Sequence, residues 1–334
     1  MKKKKQVGLF FEKDHKTLEK MQPLTITNVK ELIFNKYKLA LNCNKLFYYP
    51  SIDYSLSKKN LIQYQIRLVP ALKKKIEKGE ESFNKKEPTN PVKSTFKNTN
   101  PFLPCDPDLL ISDTLYPNHN LVLNKFCVVP GHILLTTKEY ESQDIPLNVV
   151  DFEALIDLMV NYGPDKLLAF FNCGKNSGAS QPHKHIQLIP LSINEPPIKY
   201  SLDKLMRDLE HGTIAYKIYE LSDLPYSHRI VKLSDSVSNT SPTTIFNFYN
   251  LMIQQLKSDS MLHHNLTLFN NYIYVLPRKE AHFILENEIF SINSLGSVHM
   301  IMAKDETQLN LLKEEIGSSN LESWAGSWVG FKKE

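Results

Sequence analysis

Residues 172–187 read Asn-Cys-Gly-Lys-Asn-Ser-Gly-Ala-Ser-Gln-Pro-His-Lys-His-Ile-Gln, and a strand-like run lies on each side of this loop. Residues 167–172 are apolar up to the final Asn, and residues 183–190 form the second run, which predicts two strands joined by a ten-residue loop. The small residues of the loop allow backbone N–H groups to approach an anion closely. The stretch therefore predicts a phosphate-binding loop that runs directly into a strand.

The second strand carries an unusual set of polar residues. Because strand side chains alternate between faces, His183, His185 and Gln187 are predicted to project together, and Lys184 to the opposite face. Two imidazoles and an amide on one face suit a phosphate ligand better than a purely apolar core. His-x-His is also a zinc-ligand spacing. Without a Cys or third His in register, the pattern favours a phosphate-binding site, and no metal ligand is assigned.

Composition limits the class of protein. The chain has 334 residues, 42% hydrophobic and 23% charged, which predicts folded domains rather than general disorder. It lacks the roughly 18-residue apolar run of a transmembrane helix, so no membrane association is expected. The apolar segment near the N-terminus is too short for a secretory signal. Four scattered cysteines without a Cys-x-x-Cys pair predict a reducing compartment. We expect the cytoplasm, with the nucleus left open as a second location.

Charge is distributed unevenly along the chain. Residues 1–100 contain 22 Lys and Arg against 9 Asp and Glu, whereas the whole chain has a net charge of +4. A basic arm can bind nucleic acid or another polyanion. These lysines lack the interleaved aromatic residues of a base-stacking surface. Nucleic acid is therefore not an expected partner.

Hydrophobic periodicity outlines the remaining elements. Leu266–Pro277 faintly repeats the pattern of Leu121–Pro130, which raises the alternative of two related halves. Histidines at 132, 263 and 264 are interpreted as surface or turn residues without chemistry. Helices are predicted within 28–48, 151–162, 245–256 and 306–316, strands at 121–129, 132–137 and 298–303, and a flexible insertion at 77–104.

The motif Ser177-Gly-Ala-Ser-x-x-His-x-His-Ile-Gln187 resembles the active-site motif of the histidine-triad superfamily. The resemblance is to the branch in which Gln replaces the third His, which contains galactose-1-phosphate uridylyltransferases and diadenosine tetraphosphate phosphorylases. The segments Leu123–Glu139, Val275–Arg278 and Ile292–Met300 resemble the fungal-type phosphorylases, also called ATP adenylyltransferases. These motifs occur in the family's order and cover most of residues 30–331.

This resemblance implies an α+β fold with a histidine-triad-like antiparallel sheet and flanking helices. An N-terminal phosphorylase region, 20–190, would carry the His-x-His-x-Gln site, with 77–104 as its flexible insertion. A C-terminal ATP adenylyltransferase region would span 215–331.

The resemblance also implies the reaction. A nucleotidyltransferase would convert diadenosine tetraphosphate and phosphate reversibly into ATP and ADP, with ADP sulfurylase activity as a further expectation. His185 would form an AMP–histidine intermediate, His183 would orient the site, and Gln187 would hold α-phosphate oxygens. The expected partners are these small molecules, and the expected state is a monomer. No covalently bound cofactor is expected, and whether Mg²⁺ accompanies the nucleotide is left open.

Further substrate contacts are implied by matching positions. The register of the lysine at 75 is uncertain because two lysines precede it, and a leucine occupies position 295, where a small hydroxyl residue is expected. The implied contacts are Lys75, Asn124, Lys125, Asn172, Gly178, Ala179, Ser180, Gln181, Gln187, Asn293, Ser294, Leu295, Met300 and Lys304.

Two alternatives remain open from the sequence. One is a hexose-1-phosphate uridylyltransferase, whose usual motif is His-Pro-His-x-Gln, whereas Lys184 stands between the histidines here. The other is a non-catalytic nucleotide-binding protein. Such a protein would be expected to lack His183, His185 or Gln187, and all three are present.

Overall fold

The structure is a computed structural model that describes residues 28–57, 63–71, 100–191, 196–199, 202–203, 216–221, 224, 226–256, 263–317 and 329. Lys75 and residues 77–99 of the predicted insertion lie outside this part. Within the described residues, no helix is both long and apolar enough to cross a membrane.

The helices with defined bounds are α1 (Val29–Asn42), α2 (Val149–Tyr162), α3 (Pro242–Leu256), α4 (Ser294–Ser297) and α5 (Glu306–Gly317). The strands are β1 (Phe47–Tyr48), β2 (Ile52–Ser57), β3 (Gln63–Leu68), β4 (Leu110–Ser112), β5 (His119–Leu123), β6 (Phe126–Cys127), β7 (Ile133–Thr137), β8 (Leu167–Cys173), β9 (His185–Pro190), β10 (Ile218–Tyr219), β11 (Arg229–Lys232), β12 (His264–Phe269), β13 (Tyr272–Pro277), β14 (His282–Leu285), β15 (Glu288–Ser291) and β16 (Met300–Ala303).

Among the described residues, nine strands form one antiparallel sheet in the order β10-β11-β13-β12-β8-β9-β7-β5-β4. β8 and β12 are neighbours, so the predicted N-terminal and C-terminal regions contribute to the same sheet. β16, β3 and β2 form a smaller sheet. The α+β class with an antiparallel sheet and flanking helices is confirmed.

The two faces of the main sheet pack against different elements. Leu167, Ala169 and Phe171 of β8 face a core that includes residues of α1, α2 and α3. The alternate residues Leu168 and Phe170 face a second core with the smaller sheet and α5. Because both faces are covered, β8 is wholly buried, which explains its unbroken apolar sequence.

Local chemistry fixes the helix that supports the site. Asn148 caps α2 by accepting hydrogen bonds from the N–H groups of Val150 and Asp151, and Asp151 accepts from the N–H of Asn148 in return. This capping box satisfies donors that a helix start leaves without partners. α2 begins two residues before its predicted start.

Several sequence expectations differ from the structure. The helix predicted within 28–48 ends at Asn42, and Phe47–Tyr48 is a strand. Residues 121–129 do not form a hairpin, because β6 leaves the main sheet to pair with β1, whereas β12 and β13 do form one. The sequence similarity between 121–130 and 266–277 therefore does not correspond to the same strand pairing. The last residues of the predicted insertion, 100–104, are packed, with Phe102 buried.

Candidate active site

A row of polar side chains crosses five neighbouring strands of the main sheet. Asn120 pairs with Thr136, and Thr136 pairs with His185. The β8–β9 pairing ends with Phe170 opposite Gln187, and Asn172 and His185 lie two residues further along on the same face; Asn172 pairs with Asn265. Paired residues share a face, so His185 lies at the centre of a polar row on the otherwise apolar second face.

His185 is held in one orientation. It is buried, and its ring Nδ1 donates to the carbonyl oxygen of His183 at 2.8 Å, which leaves Nε2 as the nitrogen with a lone pair. Its backbone N–H donates to Oε1 of Gln143 at 2.8 Å. Burial lowers the pKa of His185 to about 4, so the ring is neutral at pH 7. A neutral imidazole with a free lone pair is a nucleophile.

Gln143 was not identified from the sequence. Its amide Nε2 donates to the carbonyl oxygens of Asn172 at 2.8 Å and of His185 at 3.3 Å. The buried side chain therefore joins β8 to β9 at the row that contains His185. Nothing in the local sequence around Gln143 indicates this role, since its partners are 29 and 42 residues away.

His183 precedes β9 and has both ring nitrogens engaged. Nδ1 lies 2.9 Å from Nδ2 of Asn100, and Nε2 lies 2.9 Å from the carbonyl oxygen of Thr137. A carbonyl only accepts, so Nε2 donates and Nδ1 accepts from the Asn100 amide. Burial lowers the pKa of His183. His183 therefore orients its surroundings and has no free lone pair, in contrast to His185. Phe102 contacts both rings, at centroid distances of 5.6 and 5.5 Å.

Gln187 is bonded to a histidine that the sequence analysis dismissed. Its Oε1 lies 3.1 Å from Nε2 of His132, and the Nδ2 of Asn124 lies 3.3 Å from His132 Nδ1. The prediction that His132 is a surface residue was wrong, because its ring is buried against Phe170. His264 was misassigned in the same way, since it is buried and bonded to the Tyr249 hydroxyl at 2.7 Å. His263 is half-buried.

The loop before His183 is fixed at its start. Gly178 has φ of +83°, and a Cβ there would collide with the carbonyl oxygen of Ile292, which explains glycine at this position. Arg278 is buried and donates to the carbonyl oxygens of Ser177 and Ile292, at 3.3 and 2.9 Å. Burial lowers the pKa of Arg278 to about 9. Ala179 and Gln181 are half-buried, and Ser180 is exposed.

Asn172 has one bonded and one unbonded polar atom. Its Oδ1 accepts from Asn265 Nδ2 at 2.9 Å, and from the backbone N–H and hydroxyl of Ser294 at 2.9 and 2.7 Å. Its buried Nδ2 has no hydrogen-bond partner among the described residues. An unbonded buried donor is costly to a folded protein, so this N–H₂ group beside His185 is suited to an anionic ligand.

The other residues implied by the resemblance are dispersed. Asn293 caps α4 through the N–H of Leu295, and Ser294 anchors that helix to Asn172. Leu295 and Met300 belong to the second apolar core, and Lys304 pairs with Glu288 at 3.1 Å. Lys125 is exposed and follows Asn124, and Lys75 is outside the described part.

The described side chains around His183 and His185 do not form a set of metal ligands. In residues 28–57, 63–71, 100–191 and the later described segments, no group of three His, Cys, Asp or Glu side chains is arranged to hold a metal ion. The His183 and His185 rings are instead directed by hydrogen bonds to carbonyl oxygens.

The antiparallel sheet and the His-x-His-x-Gln site are those expected of a nucleotidyltransferase, and two family models match the chain. The Ap4A phosphorylase N-terminal domain matches residues 19–208, and the ATP adenylyltransferase C-terminal domain matches residues 222–325. Because the first match covers more than half of the chain, this chain belongs to the Ap4A phosphorylase family. The resemblance inferred from the motifs is confirmed, while the exact region boundaries 20–190 and 215–331 stay predictions.

Two curated relatives come from Saccharomyces cerevisiae. "Diadenosine 5',5'''-P1,P4-tetraphosphate phosphorylase 2" is 26% identical over 315 residues, covering 86% of this chain and 91% of the relative. "Protein APA1" is 27% identical over 305 residues, covering 86% and 90%. The crystal structure of yeast Ap4A phosphorylase Apa2 in complex with Ap4A superposes with a TM-score of 0.74 at 23% identity, covering 92% of this chain and 99% of that chain. This likeness establishes the fold.

Proposed function

We propose that the chain is a diadenosine tetraphosphate phosphorylase that converts diadenosine tetraphosphate and phosphate into ATP and ADP through an AMP–histidine intermediate. Membership of the Ap4A phosphorylase family supports the reaction. The observation that carries the mechanism is the hydrogen bond from His185 Nδ1 to the His183 carbonyl oxygen, because it directs the Nε2 lone pair away from the strand.

The reaction divides into two displacements. Nε2 of His185 attacks the α-phosphorus of one AMP moiety, an N–P bond forms, and the bond to the bridging oxygen breaks to release ATP. An oxygen of inorganic phosphate then attacks the same phosphorus and the N–P bond breaks. ADP is released, and the neutral imidazole of His185 is restored. Two displacements at one phosphorus replace a single transfer, which is the advantage of covalent catalysis.

Neutral donors around His185 would hold the phosphoryl oxygens. Gln187 and the unbonded Asn172 Nδ2 lie on the His185 face of the sheet. Neutral donors stabilise developing negative charge without protonating the nucleophile. The loop Gly178–Gln181 and the exposed Lys125 would contact the remaining phosphates, with Lys75 and the Asn293–Ser294 segment as further contacts.

The finer assignments follow from the same chemistry. Any Mg²⁺ would enter with the polyphosphate, as Mg²⁺ commonly binds through substrate phosphates. For an ADP sulfurylase reaction, ADP would load His185 with release of phosphate, and sulfate would then accept the AMP. We propose a monomer acting on small molecules in the cytoplasm and also in the nucleus; its four cysteines are unpaired, as suits a reducing compartment.

Product analysis tests the reaction. Purified protein is incubated with diadenosine tetraphosphate with and without phosphate, and nucleotides are separated by chromatography. ADP and ATP in equal amounts, formed only with phosphate, are expected. AMP and ATP would indicate a hydrolase, and no product under either condition would exclude the proposed activity.

Mass spectrometry tests the intermediate separately. Without phosphate, denatured protein should carry one adenylyl group, which peptide mapping should locate at His185. Turnover without any such adduct, or an adduct at another residue, would exclude the histidine pathway while leaving the overall reaction intact.

A further inference from the structure

The amide side chains of Asn124 and Gln187 both contact the ring of His132. The backbone N–H of Phe126 donates to Oδ1 of Asn124 at 3.0 Å, and Nδ2 of Asn124 lies 3.3 Å from Nδ1 and 3.4 Å from Nε2 of His132, so this amide contacts the face of the ring. Nε2 of His132 lies 3.1 Å from Oε1 of Gln187.

The contact with Gln187 assigns the tautomer of His132. An amide oxygen only accepts, so Nε2 of His132 carries the proton that Gln187 Oε1 receives at 3.1 Å, and Nδ1 has the lone pair. Burial lowers the pKa of His132 to about 4, so one nitrogen is unprotonated at pH 7.

We propose that His132 is a positioning residue that fixes the side-chain amide of Gln187 with its oxygen inward and its two N–H donors toward the phosphate. This inference rests on the proposed function, since the phosphate belongs to that reaction. Without His132, the amide of Gln187 could rotate and present its oxygen to the phosphate, where two electron-rich groups repel.

His183 shows the same direction of donation from Nε2. The N–H of Phe102 donates to Asn100 Oδ1 at 3.0 Å, Asn100 Nδ2 donates to His183 Nδ1 at 2.9 Å, and His183 Nε2 donates to the carbonyl oxygen of Thr137. In both histidines Nε2 donates to an oxygen, which is a backbone carbonyl for His183 and the Gln187 amide for His132.

Asn124 gains a different role from the one that the resemblance implies. Its Oδ1 is bonded to Phe126 and its Nδ2 faces His132, so its side chain acts through the histidine. Substitution of Asn124 should therefore alter Gln187 orientation more than it alters the affinity for polyphosphate.

Nuclear magnetic resonance tests the tautomer directly. Long-range proton–nitrogen spectra of histidine-labelled full-length protein at pH 7 should show His132 with a protonated Nε2 and an unprotonated Nδ1, assigned by loss of the signal in His132→Phe. An Nδ1-protonated His132 would overturn the proposal, because Gln187 would then have to turn its N–H₂ group inward. The measurement needs no enzymatic activity.

Kinetics test whether His132 acts through Gln187. His132→Phe should lower kcat roughly 10- to 100-fold with a smaller change in KM, since a misdirected donor affects the transition state most. His132→Gln keeps an N–H donor and should recover most of that loss. In a Gln187→Ala background, His132→Phe should change kcat less than about twofold, because the partner is already absent.

Other outcomes separate the possible failures. An equal loss from His132→Phe in both backgrounds, or no rescue by His132→Gln, would mean a purely structural role and overturn the proposal. His228→Phe is the matched control, as His228 is buried and bonded to Leu221 and Tyr226 away from the site. His228→Phe alone should have the kcat of the wild type. His228→Phe combined with Gln187→Ala should have the kcat of Gln187→Ala alone. An inactive wild-type protein with the expected His132 tautomer would refute the proposed function alone.

Discussion

The segment His183–His185, at which β9 begins, presents different polar groups to the two sides of the sheet. On the side of the polar row, His183 and His185 are buried and neutral, and their partners are amides and carbonyl oxygens. On the helix face, Lys184 is buried with its ammonium 2.6 Å from Glu141 and 3.4 Å from Asp151. His185 therefore sits on the side of the sheet away from the Lys184 ammonium and its two carboxylates.

Asp151, one of the two carboxylates paired with Lys184, comes from α2. Asp151 also lies 2.8 Å from Nε2 of His119. Burial raises the pKa of Asp151, but the hydrogen bonds from His119 and Asn148 lower it by more. The pKa of Asp151 is therefore below its ordinary value. Asp151 thus caps α2 and neutralises Lys184, which fixes the strand to the helix. The comparison shows that adjacent residues hold an ion pair on one side of the sheet and neutral, hydrogen-bonded imidazoles on the other.

Loss of the nucleophile should have the largest effect. His185→Ala should abolish the adenylyl adduct and lower turnover by about 10⁴-fold or more, as when the nucleophile of a covalent pathway is removed. Ile186→Val, on the opposite face of the same strand, should cost about 1 kcal/mol of stability and leave adduct formation intact. Near-normal turnover of His185→Ala would break the assignment of the reactive face.

Removal of the helix-face charge should affect stability more than chemistry. Lys184→Met leaves Asp151 without its buried cation and should reduce the free energy of unfolding by about 3 kcal/mol. Lys184→Met combined with Asp151→Asn should recover part of this loss. Denaturation measurements check stability, and single-turnover adduct formation checks the site. A Lys184→Met protein with wild-type stability would contradict the anchoring role.

Acid should destabilise the protein, because His185 and His132 are buried as neutral rings. The pKa of His185 and His132 is about 4 in the folded protein, below the unfolded value near 6.5. The unfolded state then binds more protons between these values, so stability falls as pH decreases from about 6.5 to 4, on the order of 3 kcal/mol per histidine. The rate of adduct formation should stay level down to about pH 5. A decline centred near pH 6.5 would contradict the buried neutral state.

Lys125 should give the smallest effect, because it is an exposed charge outside the strand. Lys125→Ala should lower kcat/KM roughly tenfold, and added salt should reduce the difference by screening. Lys166→Ala, another exposed lysine, is the control and should change little. An unchanged kcat/KM for Lys125→Ala would remove its assigned contact with polyphosphate.

Much of the fold and part of the site could be predicted from the sequence. Apolar periodicity located α2, β8 and the helix α3, since local burial patterns follow element geometry. The pairing of β6 with β1 rather than with β5 was not predicted, because a strand's partner depends on distant segments. Phe102 was assigned to a flexible insertion, although its ring contacts both site histidines.

The sequence by itself determined that His183, His185 and Gln187 share a face opposite Lys184, because alternation in a strand is a local geometric property. It also contained the motifs that identify the family. Only the tertiary structure decided which histidine keeps a free lone pair and that His132 joins the site. Asn100 and Thr137 set the tautomer of His183, and Gln187 sets that of His132, because a proton's position on a ring depends on which neighbours the fold brings within hydrogen-bond distance.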